Sequence, residues 1–260
     1  MYHFDCHAHV FEANKAVPNA RYVPDVPANL LTWLENLERH KLKGGVLVQV
    51  SFLGTDNSQL CAALEKVDRK YFAGVAVVPL DVEGAELDRL VRSGIAGVRW
   101  NLVRGANIPD INATATQSFF DNLRARDLHL EIHLEGPRLA PVLPHLTDQG
   151  IKLVVDHFGL PSEPQPKSDP MVRAVGALQD RSNLFFKFSA PYRTSFDLRF
   201  HAGTLLAHVG EDHVVWGSDW PHTQHRNIKY DDVASSTEEG LALPQSNDAA
   251  KALFGLHTAN

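Results

Sequence analysis

The stretch Asp5-Cys6-His7-Ala8-His9-Val10-Phe11 sets a carboxylate and two imidazoles at alternate positions within five residues. In an extended strand alternate side chains share a face, so Asp5, His7 and His9 are expected to point the same way, with Cys6 facing away from them. Such a trio packs poorly in a core and is suited to moving protons or holding a metal ion. Further polar residues stand at or just after the ends of apolar, strand-like runs: Ser51, Arg99, His133, His157, Arg193, Asp219 and His222. One histidine after a strand is usually incidental. Several strands that each end in an imidazole or a carboxylate point to a shared site. Hydrolysis of an ester-like bond needs a base for water, stabilisation of the carbonyl oxygen and a proton for the leaving oxygen, and one carboxylate can take the first and last tasks in turn. Guanidinium groups would orient an anionic substrate. Histidines with a carboxylate suit zinc equally well, so these residues alone leave a metal-dependent and a metal-free site both open.

The elements that must position these side chains follow a regular alternation. Strands are expected near the N-terminal motif and at Val46–Val50, Phe72–Val78, Ile95–Trp100, Leu128–His133, Ile151–Val155, Leu184–Phe188 and Val214–Gly217. Helical spacing is read at 29–40, 58–70, 82–93, 116–126, 139–149, 170–180 and 196–208, with two closing stretches at 231–241 and 247–256. The prolines between Glu12 and Pro27 mark a long loop over the end of the first strand. Eight strands alternating with helices at roughly 30-residue spacing is the pattern of a (β/α)8 TIM barrel, an α/β fold, here one domain over residues 1–260. Such barrels carry their active sites at the C-terminal ends of the strands, where the polar residues fall. A doubly wound sheet would want a Gly-rich phosphate loop after the first strand, and Glu12-Ala13-Asn14-Lys15 supplies none.

The chain has 260 residues, 44% hydrophobic and 22% charged, which suits a globular barrel of that size. A net charge of −6 without a dense Lys/Arg run speaks against a nucleic-acid surface, yet a few arginines in a pocket can still bind an anion. Cys6 and Cys61 form no CxxC pair or disulfide framework, which fits a reducing cytosol, and Cys6 is expected to be a buried structural thiol. Neither a leader peptide nor a membrane span is expected.

With His7-x-His9, His133, His157 and Asp219 on strands one, five, six and eight, the sequence resembles the amidohydrolase superfamily. The motifs Val48-Gln49-Val50-Ser51-Phe52-Leu53-Gly54-Thr55-Asp56-Asn57, Gly97-Val98-Arg99-Trp100-Asn101, Asp156-His157-Phe158-Gly159 and Trp216-Gly217-Ser218-Asp219-Trp220-Pro221-His222 narrow the likeness. Together they resemble its branch of 2-pyrone-4,6-dicarboxylate hydrolase and sugar-acid lactonases. That resemblance implies a lactonase in which Asp219 activates water beside His7, His9 and His157. It implies Arg99, Arg193 and, as a third, Arg104 on the substrate carboxylates. Tyr22, Ser51 and Tyr192 then join them as substrate contacts, with His133 and His222. The strand-four bridging lysine of the superfamily is missing, since Arg99 and Asn101 occupy that region, so a two-metal centre is not expected. The cofactor expectation is therefore none, or one zinc-like divalent ion on His7, His9, His133, His157 and Asp219. The expected partner is a small carboxylate-bearing substrate. The alternatives are a mononuclear zinc amidohydrolase or decarboxylase and a non-catalytic anion-binding barrel.

Overall fold

The computed structural model describes residues 3–18, 20–238 and 246–257, excepting the side chains of 236–238. Eight parallel strands follow one another in sequence order around a single sheet: β1 (Phe4–Ala8), β2 (Gly44–Val48), β3 (Phe72–Ala76), β4 (Ile95–Asn101), β5 (His129–His133), β6 (Leu153–Val155), β7 (Leu184–Ser189) and β8 (Val214–Gly217). The helices between them are α1 (Leu30–Arg39), α2 (Ser58–Leu64), α3 (Gly84–Arg92), α4 (Thr114–Arg124), α5 (Gly136–Leu139), α6 (Leu143–Thr147), α7 (Pro170–Ala177) and α8 (Arg199–Val209), followed by α9 (Tyr230–Glu238) and α10 (Asp248–Phe254). The (β/α)8 barrel expected from the sequence is present. The one helix expected over 139–149 is two short ones, because Pro141 and Pro144 lack the N–H groups a continuous helix needs. The helix expected to reach Lys70 stops at Leu64, and a turn from Asp68 to Tyr71 delivers the chain to β3. The part of the penultimate helix expected beyond residue 238 lies outside the described residues.

Two apolar layers hold the barrel. Inside it, Phe4, Cys6, Val46, Val48, Val75, Val154, Phe185 and Val215 pack together, and Leu253, Phe254 and Leu256 from α10 and the residues after it close the N-terminal floor. Between strands and helices lie residues such as Trp33, Leu64, Leu90, Phe119, Phe120 and Leu205. Burial of this kind contributes about 25 cal/mol per Å² of apolar surface and fixes the inward register of each strand.

β1 departs from simple alternation. Phe4 and Asp5 pair with Gly44 and Gly45, but Ala8 pairs with Leu47, so one extra residue bulges in β1. The bulge overturns the expectation that Asp5, His7 and His9 share a face. Cys6 and His7 both look into the barrel, and Asp5 faces the helices. The Asp5 carboxylate accepts from Trp33 Nε1 (2.9 Å) on α1, from Ser218 N (2.8 Å) and Oγ (2.6 Å) after β8, and from Tyr230 OH (3.1 Å) on α9. It thereby pins the β1–β8 seam. The seam is completed by His9 N–H donating to Trp220 O and Asp219 N–H to His7 O, each at 2.8 Å. Gly217 permits the approach: a Cβ there would stand 2.5 Å from the Cβ of His7.

Candidate active site

The C-terminal mouth of the barrel gathers side chains from strands that are far apart in sequence. A cavity there is lined by His9, Tyr22, Ser51, Arg99, Arg104, His133, His157, Arg193 and Asp219, together with Arg21, Asn101, Thr223 and Gln224. His7 lies directly beneath, fully buried. Three of the strand ends carry their residues on left-handed backbone: His157 after β6 (φ 51°), Ala190 after β7 (φ 49°) and Asp219 after β8 (φ 60°). Non-glycine residues adopt this conformation at a cost of roughly 1–3 kcal/mol each, and such strain concentrates where a side chain must be aimed.

Asp219 is the hub. Its Oδ2 accepts from Tyr192 OH (2.7 Å) and from Arg193 Nε (3.1 Å) and NH2 (2.5 Å). Among the described residues its Oδ1 has no hydrogen-bond partner, and it is surrounded by imidazole nitrogens: Nε2 of His9 at 3.4 Å, of His7 at 3.6 Å and of His157 at 4.0 Å. Burial alone would raise the carboxyl pKa, but Arg193 and the neighbouring histidines hold it well below the usual carboxylate range. Asp219 is therefore ionised at neutral pH.

The imidazoles are held from behind. His9 Nδ1 lies 2.7 Å from the Val48 carbonyl, which can only accept, so Nδ1 carries a proton and Nε2 is left facing Asp219. His157 Nδ1 bonds Ser189 Oγ at 2.8 Å. Burial depresses His7 to about 3, against the opposing pull of Asp156. Burial likewise drives His133 and His157 well below the ordinary imidazole range. These three rings are neutral at pH 7.

Under the mouth lies a buried charge network that sequence reasoning missed. Arg99 Nε and NH2 donate to Asp156 Oδ2 at 2.8 and 2.6 Å, and Nε also stands 3.3 Å from Glu131 Oε1. Lys187 Nζ stands 2.5 Å from Glu131 Oε2 and 3.4 Å from His7 Nδ1, and Asp156 Oδ1 is 3.3 Å from that same nitrogen. Two cations offset two carboxylates, and no member is more than 4% exposed. The signal was a charged residue in the middle of a strand: Glu131 in β5, flanked by Leu130 and Ile132, and Lys187 in the largely apolar β7. Burial of such a group is expected only where it is paired.

The structure separates the residues expected to bind substrate. Tyr22, Ser51, Arg99, Arg104, His133 and Arg193 reach the cavity. Tyr192 and His222 do not line it. The Tyr192 hydroxyl is spent on Asp219 and contacts His222 Nδ1 at 3.1 Å, so Tyr192 braces the carboxylate and His222 backs that hydroxyl. Arg99 and Arg193 are already paired with protein carboxylates. The side chains of Arg21 and Arg104 instead bond neutral groups: Arg21 the Asn101 and Val103 oxygens, Arg104 the Gln224 amide oxygen at 2.6 Å. Their charges remain available to an anion. Arg21, inside a proline-containing loop, gave no sequence signal of its own.

Could the site hold a metal? One carboxylate oxygen and three imidazole nitrogens 3.4–4.0 Å from it, two of these atoms buried without a hydrogen-bond partner, form a donor set that suits one divalent ion of zinc type. His133 clusters instead with Asp156 and His157. Among the described residues no helix is long and apolar enough to cross a membrane.

The chain resembles known proteins over nearly its whole length. A family profile described as amidohydrolase matches residues 4–255. A D-galactarolactone isomerase of Agrobacterium fabrum is 28% identical over 247 residues, covering 91% of this chain and 80% of the relative. A 2-pyrone-4,6-dicarboxylate hydrolase of Comamonas testosteroni is 26% identical over 251 residues, covering 88% of this chain and 79% of the relative. A solved structure from Acinetobacter baumannii, described as a probable 2-pyrone-4,6-dicarboxylic acid hydrolase with citric acid bound, superposes with a TM-score of 0.87 at 31% identity, covering 98% of this chain and all of that one.

Proposed function

The chain belongs to the amidohydrolase family, a hydrolase by that membership, and we propose that it opens a small lactone bearing one or more carboxylates, with Asp219 as general base. The observation that carries this is the position of Asp219 Oδ1: ionised, without a hydrogen-bond partner among the described residues, ringed by three imidazoles and on the wall of a cavity shared with four arginines. Relatives named for lactone and pyrone chemistry, and a neighbour holding citric acid, support a carboxylated substrate.

In this mechanism Arg21 and Arg104 take the substrate carboxylates, since among the described residues their side chains bond neutral oxygens, and Arg99 and Arg193 add positive potential along the inner wall. The lactone carbonyl is directed at the histidine ring. Asp219 Oδ1 takes a proton from water as it attacks the carbonyl carbon, and then returns that proton to the ring oxygen as the C–O bond breaks. The low pKa of Asp219 makes it a weaker base but keeps it ionised. Tyr192 and Arg193 fix its orientation, so little of the barrier is spent on alignment. A divalent ion on His7, His9, His157 and Asp219 would polarise the carbonyl and acidify water when bound.

The test is a kinetic screen of pyrone, muconolactone and aldonolactone acids with and without chelator. Turnover of at least one carboxylated lactone, lost when its carboxylates are esterified, is the expected result. Turnover confined to amides or to decarboxylation, abolished by chelator, would replace this reading with that of a mononuclear metal-dependent amidohydrolase or decarboxylase. Retained binding with no turnover of any substrate would indicate an anion-binding barrel.

A further inference from the structure

Beside the charged mouth lies a second, mainly apolar cavity, about 420 Å³ in volume and walled by Phe11, Val23, Pro24, Val26, Pro27 and Pro221, with a charged lining residue, Arg226, paired to Asp25. That volume lies within the range of small-molecule sites, and an apolar lining with few polar groups is their usual make-up. Tyr22, Thr223 and Gln224 line both cavities, so they form a shared wall and the two spaces adjoin. The loop forming the far wall is tied down. Phe11 and Ala28 exchange backbone hydrogen bonds at its base, Asn14 N–H donates to Pro24 O at 2.7 Å, and Val17 N–H donates to Phe52 O at 2.8 Å. Phe11 packs edge-on against Phe52 at 4.9 Å, and Tyr22 does so at 5.1 Å. Yet Val23 and Val26 are 58% and 59% exposed, an apolar pair left uncovered among the described residues.

We infer that this cavity receives an apolar substituent, an alkyl or aryl group, carried by the carboxylated substrate whose anionic part occupies the arginine-lined mouth. The inference rests on the lactonase reading for the identity of the ring, but not for the division of labour between the two cavities. Arginines read one end of the ligand. The shared wall of Tyr22, Thr223 and Gln224 marks where its ring would turn the corner. Valines and prolines, rigid and without hydrogen-bond groups, desolvate the other end at small entropic cost.

The experiment compares two carboxylated lactones that differ only in a ring hydrogen or an n-butyl group placed away from the carboxylates. The butyl compound should show kcat/KM at least about tenfold higher in the native protein, since each buried methylene is worth about a factor of four. Val26→Asp and Val23→Asp alter exposed positions and should erase that preference while leaving kcat/KM for the plain lactone within about twofold. The corresponding ring ethers, which hydrolysis cannot open, are measured by calorimetry, and the same tenfold gap should appear in Kd. A gap in Kd without turnover of either lactone rejects the lactonase reading and keeps the pocket. Turnover without a butyl preference, or a preference that survives both substitutions, overturns the pocket. Self-association that Val26→Asp abolishes, with no butyl preference, would also overturn it, by assigning the valine pair to a second copy of the chain.

Discussion

His9 Nε2 and Asp219 Oδ1 face one another across 3.4 Å, and the Val48 carbonyl takes the only proton a neutral His9 ring could offer. Two lone pairs so placed demand something positive between them: a proton on His9, a hydrogen of water, or a cation. The chemistry assigned to the site follows from that demand. The same gap that polarises a water beside a fixed carboxylate would also accept one divalent ion.

Tyr192 donates to Asp219 at 2.7 Å but stays off the cavity wall. Tyr192→Phe is therefore expected to lower kcat about tenfold with KM within about twofold, the signature of a group that orients the base. Steady-state kinetics on the best lactone check this. A rise in KM at constant kcat would return Tyr192 to substrate contact.

Arg99 and Arg104 should respond in opposite ways. Arg99 is buried between Asp156 and Glu131, and Glu131 keeps Lys187, so Arg99→Met strands the Asp156 carboxylate in the barrel and should cost about 3–5 kcal/mol of stability. Arg104 is exposed, its backbone bond to Glu135 survives substitution, and among the described residues its side chain bonds only Gln224, so Arg104→Met should raise KM about tenfold and leave Tm within about 1 °C. Thermal melts and kinetics on the two variants decide it.

Acidification should destabilise the fold well above the carboxylate range. Burial holds His7 at about 3 and His222 at about 4, and His133 and His157 well below 6.5. An unfolded chain takes up these protons near pH 6.5 and the folded one does not, so stability is lost as pH falls below that value. At 1.36 kcal/mol per pH unit, each histidine costs at most about 2 kcal/mol by pH 5. Glu131, raised to about 7 by burial and by Asp156, acts in the other direction, because the folded state binds its proton more tightly. His129, held at about 3 by burial, adds to the loss, and Asp5, raised by burial, adds to the offset, so the histidines outweigh the carboxyls. Tm measured with chelator present should drop by at least about 5 °C between pH 7.5 and pH 5. An unchanged Tm would mean the histidines are charged in the folded state.

The barrel and most of the mouth were legible in the sequence because both follow from pattern. Alternating strand and helix periods define the fold, and polar residues at strand ends mark one face of it. The bulge in β1 was not legible, since nothing in Asp5-Cys6-His7 announces an extra residue. Only the pairing of Ala8 with Leu47 reveals that Asp5 braces the β1–β8 seam from outside the barrel. The network of Glu131, Asp156 and Lys187 escaped for a related reason. Lys187 is one charged residue in an apolar run, Glu131 alternates with two histidines and Asp156 follows the end of its strand, and the partners of each stand on other strands. Tyr192 and His222 were read as substrate contacts from their place in the chain, but side-chain direction at a turn is set by backbone conformation, here φ 49° at Ala190 and 60° at both Asp219 and His222.

The most direct test is the turnover number of Asp219→Asn on the best carboxylated lactone, with the fold verified by circular dichroism and a melt. Asparagine keeps the shape and one acceptor oxygen but cannot take a proton, so kcat should fall by at least about 100-fold with ligand binding retained. A folded variant turning over within a few-fold of the native rate would contradict the assignment of Asp219 as the base.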